Sequence, residues 1–545
     1  MTDASYKRKG QALVVLCVAG LIALAGCGPK NYKQDADERV YTILDEKWDP
    51  EFGSKANYRI SDTAASPNDI PPETTIPASG MLTFPQAMAL ATARNREYQS
   101  QKETLYSTAL DLRLVRHDFE NQLFGGGSLF YSNNGRDESV AAEANVGFNR
   151  LLATGTQISS AIGARWLAVL MGAGDNGLAS VFTASVAQPL LRGSDRAVVL
   201  ENLTQAERNT LYEIRTFNRF RKSFVVAVAT QYFQALELYD AIEITRDHLA
   251  ALTGLHDDVA KLADAGRLPK LEVDRLAQEE LRARDVLILA RREYERFLDQ
   301  FKMTLAIAPT TEFRLDTSVL AALKEHGIPE PEIVIDEAIE SALRRRLDMA
   351  NRADEVLDAQ RAVYVAADDL QAGLDVEGTV EVDSHGDGTV TVGPVWDSPL
   401  DRVAEQTAYR KSLIFLNQRR RDYDLAADTV RLEVREAYRK LEEAGERYRV
   451  LSESLATART RIARTSQLLT YARVDSRRVL NAQEDLYDAR NAATDALIDY
   501  AVATLNFYRD TGVLQVRPDG MWEAGTGDLP VARTEPMSDT LATRR

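Results

Sequence analysis

Two long stretches without proline constrain this fold more than any other feature of the sequence. No proline occurs between Pro189 and Pro269, or between Pro399 and Pro518. Because proline breaks helix interiors, nothing in these stretches forces a helix to end. Charged residues make up 27% of the chain and aromatic residues 7%, which is typical of extended helices. The sequence predicts long helices over residues 196–265 and 401–472, the first about 105 Å long at 1.5 Å per residue.

A short segment within these helical regions occurs twice. Residues 277–281 read AQEEL and residues 482–486 read AQEDL, 205 positions further on. Tyr232 and Tyr438 are separated by a similar 206 residues. The repeated spacing predicts a chain built from two halves with the same plan, that is, an internal two-fold repeat.

The two halves differ in length. Ala87 and Ala338 open comparable short helices, and they lie 191 residues before Gln278 and 145 residues before Gln483, a difference of 46. The helical parts match, so the excess belongs to the region between them. We expect the first half to contain an additional hairpin.

That intervening region alternates apolar and polar residues with a period of two, which predicts strands with one apolar face. The alternation in the first half begins with Val140, Ala142, Ala144, Val146 and Phe148. In the second half, apolar residues alternate with four acidic ones, Asp375, Glu377, Glu381 and Asp383. A soluble sandwich can show such a pattern, and a membrane barrel requires it. In a barrel the acidic residues face the lumen, whereas the alternative is an acidic extracellular loop.

The N-terminus resembles a bacterial lipoprotein signal. Lys7, Arg8 and Lys9 precede an apolar core that is too short to span a bilayer comfortably, and the sequence LAGC ends at Cys27. The resemblance implies that Cys27 is lipidated, and Gly28 after it implies export to the outer membrane. The alternative is a short retained helical anchor with an incidental cysteine.

The composition and motifs predict neither an enzyme nor a nucleic-acid-binding protein. A net charge of −16 argues against a nucleic-acid-binding protein, because such a protein needs basic residues to neutralise the phosphate backbone. The five histidines are scattered, without metal-ligand spacing, and no catalytic constellation stands out. We therefore expect no catalytic residues, no metal and no cofactor.

Several further motifs together resemble the TolC-like outer membrane efflux protein family, in its lipid-anchored form. These are LTF at 82–84, QPLLRG at 188–193, AGRLP at 265–269, VLNAQ at 479–483 and LNFYRDTGVL at 505–514. The resemblance implies an α+β membrane protein: a homotrimer with a shared β-barrel of about four strands per protomer, continuing into a long periplasmic α-helical barrel.

The domain boundaries follow from these features. Residues 1–26 are a signal peptide, 27–79 an extended linker, 309–331 a connector and 517–545 a disordered tail. The first repeat, 80–308, contains strands over about 123–189, the long helix 196–265 and a return helix over 270–307. The second repeat, 332–516, contains strands over about 372–396, the long helix 401–472 and a return helix over 477–511.

The resemblance also assigns two helix turns to the periplasmic tip, where adaptor proteins dock and the pore narrows. The tip residues are Gly266, Arg267, Leu268, Arg473, Asp475, Arg477, Arg478 and Asn481. Asp475 replaces a glycine that is common in the family, and three arginines surround it.

The implied function is a passive outer-membrane exit duct of a tripartite efflux or secretion system. Its implied partners are a periplasmic adaptor protein, an inner-membrane transporter and outer-membrane lipid. The alternative is a periplasmic helical scaffold lipoprotein without a pore. The repeated strand pairs favour the duct, because a scaffold does not need a lipid-facing hairpin beside each long helix.

Overall fold

The computed structural model describes residues 29–55, 58–60, 80–133, 138–171, 177–328, 333–398, 400–471, 474–517 and 522–524. Cys27 and the signal segment lie outside this range. The described chain forms two compact units. The first contains residues up to 48, 104–214 and 358–415, and the second contains 49–103, 215–357 and the residues from 416 onward.

The described residues of the first half form five strands and six α-helices. The helices are α1 (Pro29–Lys47), α2 (Phe84–Arg94), α3 (Arg96–His117), α4 (Arg196–Val199), α5 (Glu201–Asp264) and α6 (Lys270–Thr304). The strands are β1 (Met81–Leu82), β2 (Gln122–Asn133), β3 (Glu138–Leu151), β4 (Gln157–Met171) and β5 (Gly177–Pro189).

The second half repeats the order of helix, strands and long helix. After β6 (Arg314–Leu315) and α7 (Ser318–His326) come α8 (Ile335–Arg345), α9 (Leu347–Asp368), β7 (Gly373–Asp383) and β8 (Gly388–Asp397). They are followed by α10 (Val403–Thr470), α11 (Ser476–Asp510), β9 (Leu514–Val516) and β10 (Trp522–Ala524). None of the helices in the described ranges is both long enough and apolar enough to cross a membrane.

The first unit is dominated by one six-stranded sheet of order β2-β3-β4-β5-β7-β8. Every neighbouring pair in it is antiparallel. The first half contributes four of the strands and the second half two, which matches the additional hairpin expected from the length difference. All six strands belong to one continuous sheet.

Helix α1 corrects the prediction of an extended linker over residues 27–79, because residues 29–47 are helical. Val40, Ile43 and Leu44 recur at helical spacing, and all three are buried. The Tyr106 hydroxyl of α3 donates a hydrogen bond to Asp37 at 2.5 Å. The surrounding sequence is rich in proline and aspartate, and for that reason this short amphipathic helix was not predicted.

The second unit contains aromatic residues from α2, α3, α5 and α6. Phe84 packs against Tyr232 with 5.0 Å between ring centroids, and Tyr232 packs against Phe301 at 6.3 Å. Ala87 and Ala338, which open the comparable short helices of the two halves, are 0% and 5% exposed. Alanine at these positions allows the short helices to approach their neighbours closely.

The predicted connector and the predicted C-terminal tail both contain regular secondary structure. The connector contains α7 and the two-residue strand β6, which pairs in parallel with β1. The prediction of a disordered tail from residue 517 is wrong for Trp522–Ala524, which pairs with β9. Backbone hydrogen bonding to β9 orders this short piece. The rest of the tail beyond residue 524 lies outside the described residues.

Candidate functional site

The six-stranded sheet has one continuous apolar face. Residues in register across antiparallel strands share a face, so Val146 of β3 lies beside Ile162 of β4 and Phe182 of β5 lies beside Val382 of β7. This face extends from Leu123 on β2 to Trp396 on β8, and its members include Leu123, Leu129, Tyr131, Val146, Ile162, Leu178, Phe182, Val186, Val376, Val380, Val390, Val392 and Trp396. Each of these side chains is exposed. An exposed apolar surface of this extent marks contact with a membrane or a partner.

The opposite face of the sheet is mainly polar, with Phe124 and Phe130 on β2 and Val395 on β8 as exposed apolar exceptions, and it contains the four predicted acidic residues. Asp375, Glu377, Glu381 and Asp383 occupy alternate positions of β7 and therefore lie on the same side of the strand. Glu377 is in register with Ala187 and Gly393, and Glu381 with Thr183 and Thr389. No cationic residue lies directly opposite either glutamate, so their charges are uncompensated across the strands.

A second group of charges on the polar face, Glu143 and Arg165, is paired with its opposite sign. Glu143 of β3 is in register with Arg165 of β4, and their side chains form an ion pair at 3.1 Å. These two charges cancel. The net negative charge of the polar face therefore comes mainly from β7.

The first helix turn joins α5 to α6 through Gly266. Its φ of +69° is a left-handed conformation that glycine adopts without steric cost. The Gly266 amide donates to the Ala263 carbonyl at 2.9 Å, and the Arg267 amide donates to the Leu262 carbonyl at 2.9 Å. This pair of bonds is a Schellman motif, which satisfies the carbonyl groups at the end of α5. Pro269 follows as the N-cap residue of α6.

The second helix turn joins α10 to α11 and uses Asp475 instead. Asp475 is the N-cap residue of α11, and its carboxylate accepts a hydrogen bond from the Arg478 amide at 3.1 Å. The carboxylate satisfies one of the free amides at the start of this helix and opposes its positive end. Arg473 lies outside the described residues. Asp475 thus stabilises the start of α11, whereas Gly266 stabilises the end of α5.

The two turns lie next to each other within the second unit. The Ser476 hydroxyl, immediately after the second turn, donates to Glu272 on α6 at 2.6 Å. Leu480 of α11 packs in an apolar cluster with Leu252 of α5 and Leu276 of α6. The helix turns therefore form one structural element, which the separate motifs do not reveal.

Most of the other residues predicted to form the tip have exposed side chains that a partner can contact. The side chains of Arg267, Arg477, Arg478 and Asn481 are exposed, and Leu268 is half-buried against the apolar cluster. A groove of about 590 Å³ lies nearby, lined by the ends of α5 and α10 and the start of α11. Cationic side chains next to a partly apolar groove are suited to a protein partner with complementary charge.

The duplicated AQE segments meet on neighbouring helices. Burial, followed by the charge of Glu279, raises the pKa of Glu484 above its ordinary value. The two glutamates belong to the two copies of the segment. The apolar cluster that contains Leu276 and Ala283 of α6 and Leu480 of α11 places the copies side by side.

The contact between Ser476 and Glu272 was not predicted from the sequence. An N-cap aspartate before a helical pattern is a recognisable signal, so the role of Asp475 could have been inferred from sequence. The Ser476–Glu272 contact joins residues 204 positions apart, and no local pattern encodes it. Within the described ranges, no three His, Cys, Asp or Glu side chains are grouped to hold a metal ion.

Comparison with known proteins identifies the fold. No protein-family model matches the chain, and no curated protein matches it in sequence. CusC, a protein that forms a transmembrane channel, matches with a TM-score of 0.57 and 14% identity over 84% of this chain and 99% of that chain. The CmeC outer-membrane channel of Campylobacter jejuni matches with a TM-score of 0.56 and 12% identity, over 88% and 93% of the two chains.

A further match is the MtrE outer-membrane channel of Neisseria gonorrhoeae in its open state. Its TM-score is 0.57 and its identity 14%, over 78% of this chain and 88% of that chain. The matched part spans 78–88% of this chain in the three comparisons. The chain therefore has the fold of TolC-family outer-membrane channels, and the resemblance inferred from the sequence motifs is confirmed.

Proposed function

We propose that this protein is the outer-membrane exit duct of a tripartite efflux or secretion system. It acts as a homotrimer that conducts substrates passively from the periplasm or a pump to the exterior. The observation that carries the proposal is the exposed apolar face of the sheet. Thirteen of its large side chains, from all six strands, are exposed, and hydrocarbon is an environment in which such a surface is stable.

The polar face of the sheet then faces the lumen. Asp375, Glu377, Glu381 and Asp383 lie on that face without cations directly opposite the two glutamates. Three copies supply twelve carboxylates to the same stretch of the pore. A ring of acidic side chains raises the local concentration of cations and disfavours anions.

The paired helix turns form the periplasmic tip, which binds a periplasmic adaptor protein. The exposed arginines and the groove of about 590 Å³ support this assignment. An inner-membrane transporter supplies the energy, so the duct itself needs no cofactor and catalyses no reaction. Lipidation of Cys27 adds a second membrane attachment to the barrel, and two attachments hold a protein to a membrane more firmly than one.

Planar bilayers containing the purified protein test the function directly. We expect channels that prefer cations, measured as a reversal potential in a KCl gradient. The variant Asp375→Asn, Glu377→Gln, Glu381→Gln, Asp383→Asn should shift the cation-to-anion permeability ratio toward one. The double variant Glu143→Gln, Arg165→Gln is a matched control, because it removes a neutral pair from the same face and should leave the ratio unchanged.

The outcomes separate the alternatives. Absence of channels under all conditions would refute the duct and favour the scaffold lipoprotein. Channels with equal permeability to cations and anions would show that the acidic residues do not line the lumen. If the matched control changed selectivity as much as the fourfold variant, the effect would reflect general damage to the barrel.

A further inference from the structure

The two outer strands of the six-stranded sheet have free edges. Within the described part of the chain, β2 pairs only with β3 and β8 pairs only with β7. Each edge exposes a row of backbone amide and carbonyl groups that can pair with another strand. The apolar face reaches both edge strands: Leu123 and Leu129 on β2 are 82% and 69% exposed, and Val392 on β8 is 69% exposed.

We propose that β2 of one copy pairs with β8 of the next copy, so that all six strands of each chain enter the shared barrel. The trimer then has an eighteen-stranded barrel, in place of the twelve strands that the family resemblance implies. This inference rests on the proposed function, since it requires a trimer in a membrane. The partner for each edge is a second copy of this chain.

The environment of the edges requires closure. Hydrocarbon offers no hydrogen bonds, so each unpaired backbone group at membrane depth is strongly unfavourable. Leu123, Leu129 and Tyr131 on β2 and Val390, Val392 and Trp396 on β8 are exposed on the apolar face, so both edge strands share the surface that faces hydrocarbon in the proposed barrel. A sheet of six strands in lipid must therefore close through neighbouring copies.

The topology of the sheet permits this closure. Six strands that alternate in direction leave β8 antiparallel to β2, so a β2–β8 contact between copies continues the same antiparallel pattern. The two strands have similar lengths, 12 residues for β2 and 10 for β8. Pro394 lacks an amide donor and can remove at most one hydrogen bond from this contact.

The alternative is that the additional hairpin lies outside a twelve-stranded barrel. If β2 and β3 are that hairpin, β4 becomes the edge that meets β8 of the next copy. The structure disfavours this arrangement, because β3 pairs with β4 from Leu151↔Gln157 through to Glu138↔Met171, with one irregularity at the end. The apolar face also extends onto both strands, through Leu123, Leu129 and Tyr131 on β2 and Val146 and Phe148 on β3.

A larger strand number widens the pore. With strands about 4.8 Å apart and tilted by about 40°, eighteen strands give a barrel of about 36 Å diameter and twelve give about 24 Å. The additional hairpin therefore enlarges the exit without altering the number of long helices. Substrates larger than those of a twelve-stranded duct can pass this part of the pore.

Disulfide trapping between copies tests the pairing. The full-length protein is expressed with Val392→Cys on β8 and one further cysteine on β2, at each position from 127 to 131 in turn. The two edges of one sheet are five strand spacings apart, about 24 Å, so a disulfide must join different copies. A second series combines Val392→Cys with cysteines on β4, at each position from 160 to 164.

We expect disulfide-linked trimers from the β2 series that dissociate on reduction. Because Val392 lies on the apolar face, cross-linking should favour odd-numbered β2 positions such as Leu129→Cys over even-numbered ones such as Ser128→Cys. Variants with only one of the two introduced cysteines serve as controls. The two natural cysteines both lie within the first 27 residues and therefore do not contribute a thiol to the sheet. Native mass spectrometry reports the number of copies independently.

Cross-linking in the β4 series would overturn the eighteen-stranded barrel and support twelve strands, while leaving the trimeric duct intact. Trimers that form channels but cross-link in neither series, or in the β2 series without dependence on position, would also overturn it. A protein that is monomeric and forms no channels would refute the proposed function itself, and the strand count with it.

Discussion

Lys222 on α5 is a buried cation whose removal should stabilise the protein. Its side chain is 6% exposed, and its ammonium group lies 3.4 Å from the Gly512 carbonyl oxygen. Burial, together with the positive charges of Arg219, Arg221 and Arg345, lowers the pKa of Lys222 from 10.5 to about 8. No carboxylate is among the causes of this pKa shift, so little offsets the hydration free energy that the charged ammonium group loses on burial.

The size of the effect follows from the pKa change. A shift of one pKa unit corresponds to about 1.4 kcal/mol, so the charged lysine destabilises the folded state by about 3 kcal/mol at neutral pH. Between pH 8 and 10.5 the unfolded chain binds more protons than the folded chain, and the free energy of unfolding should therefore rise with pH. Below pH 8 both states are protonated, and Lys222 causes no pH dependence.

The measurement is urea unfolding of the detergent-solubilised protein, followed by circular dichroism at pH 7.5 and pH 10. Lys222→Met should increase the free energy of unfolding at pH 7.5 and reduce its rise between the two pH values. Lys261→Met is the matched control on the same helix, because Lys261 is 75% exposed and pairs with Asp258. Equal pH dependence in the wild-type protein and Lys222→Met would refute the reasoning.

Three further predictions concern the helices and their turns. Gly266→Ala places a side chain at φ +69° and should cost about 1–2 kcal/mol of stability, whereas Gly254→Ala, inside α5, should stabilise by about 1 kcal/mol; thermal unfolding distinguishes the two signs. Burial and two nearby aspartates raise the pKa of Glu237 to about 7, so wild-type stability should fall as the pH rises from 4.5 to 7. Glu237→Gln should remove that fall and add about 3 kcal/mol at pH 8, and a persisting fall in the variant would contradict the assignment. Charge reversal of Arg477 and Arg478 to glutamate should change single-channel conductance, and an unchanged conductance would exclude them from the narrowest part of the pore.

Patterns that are local in sequence predicted most of the secondary structure. The alternation around Glu377 and Glu381 located β7, because each polar residue lies between apolar ones. The absence of proline located α5 and α10. Helix α1 was missed because its apolar positions, such as Val40 and Leu44, are few and its neighbours are rich in proline and aspartate.

Pairings between distant residues could not be predicted in the same way. Strand β5 pairs with β7, and Phe182 is in register with Val382 across 200 positions of sequence. No turn connects these strands, so no local signal sets their register; the match of apolar faces does so only once the chain has folded. In the proposed barrel, the number of strands depends on which edges meet another copy, and no local pattern in the sequence encodes a contact between copies.

The two helix turns show how a duplicated structure can retain its geometry and lose its sequence. At the first turn, Gly266 ends α5 with a left-handed residue; at the second, Asp475 begins α11 with a side-chain cap. Both satisfy backbone groups that a helix end leaves free, but one satisfies carbonyls and the other amides. The second solution does not require glycine, so its neighbours can be large and charged, as Arg477 and Arg478 are. Exposed arginines lie at both turns, Arg267 at the first and Arg477 and Arg478 at the second, so the copies differ in how the helix end is stabilised and not in the sign of the exposed charge.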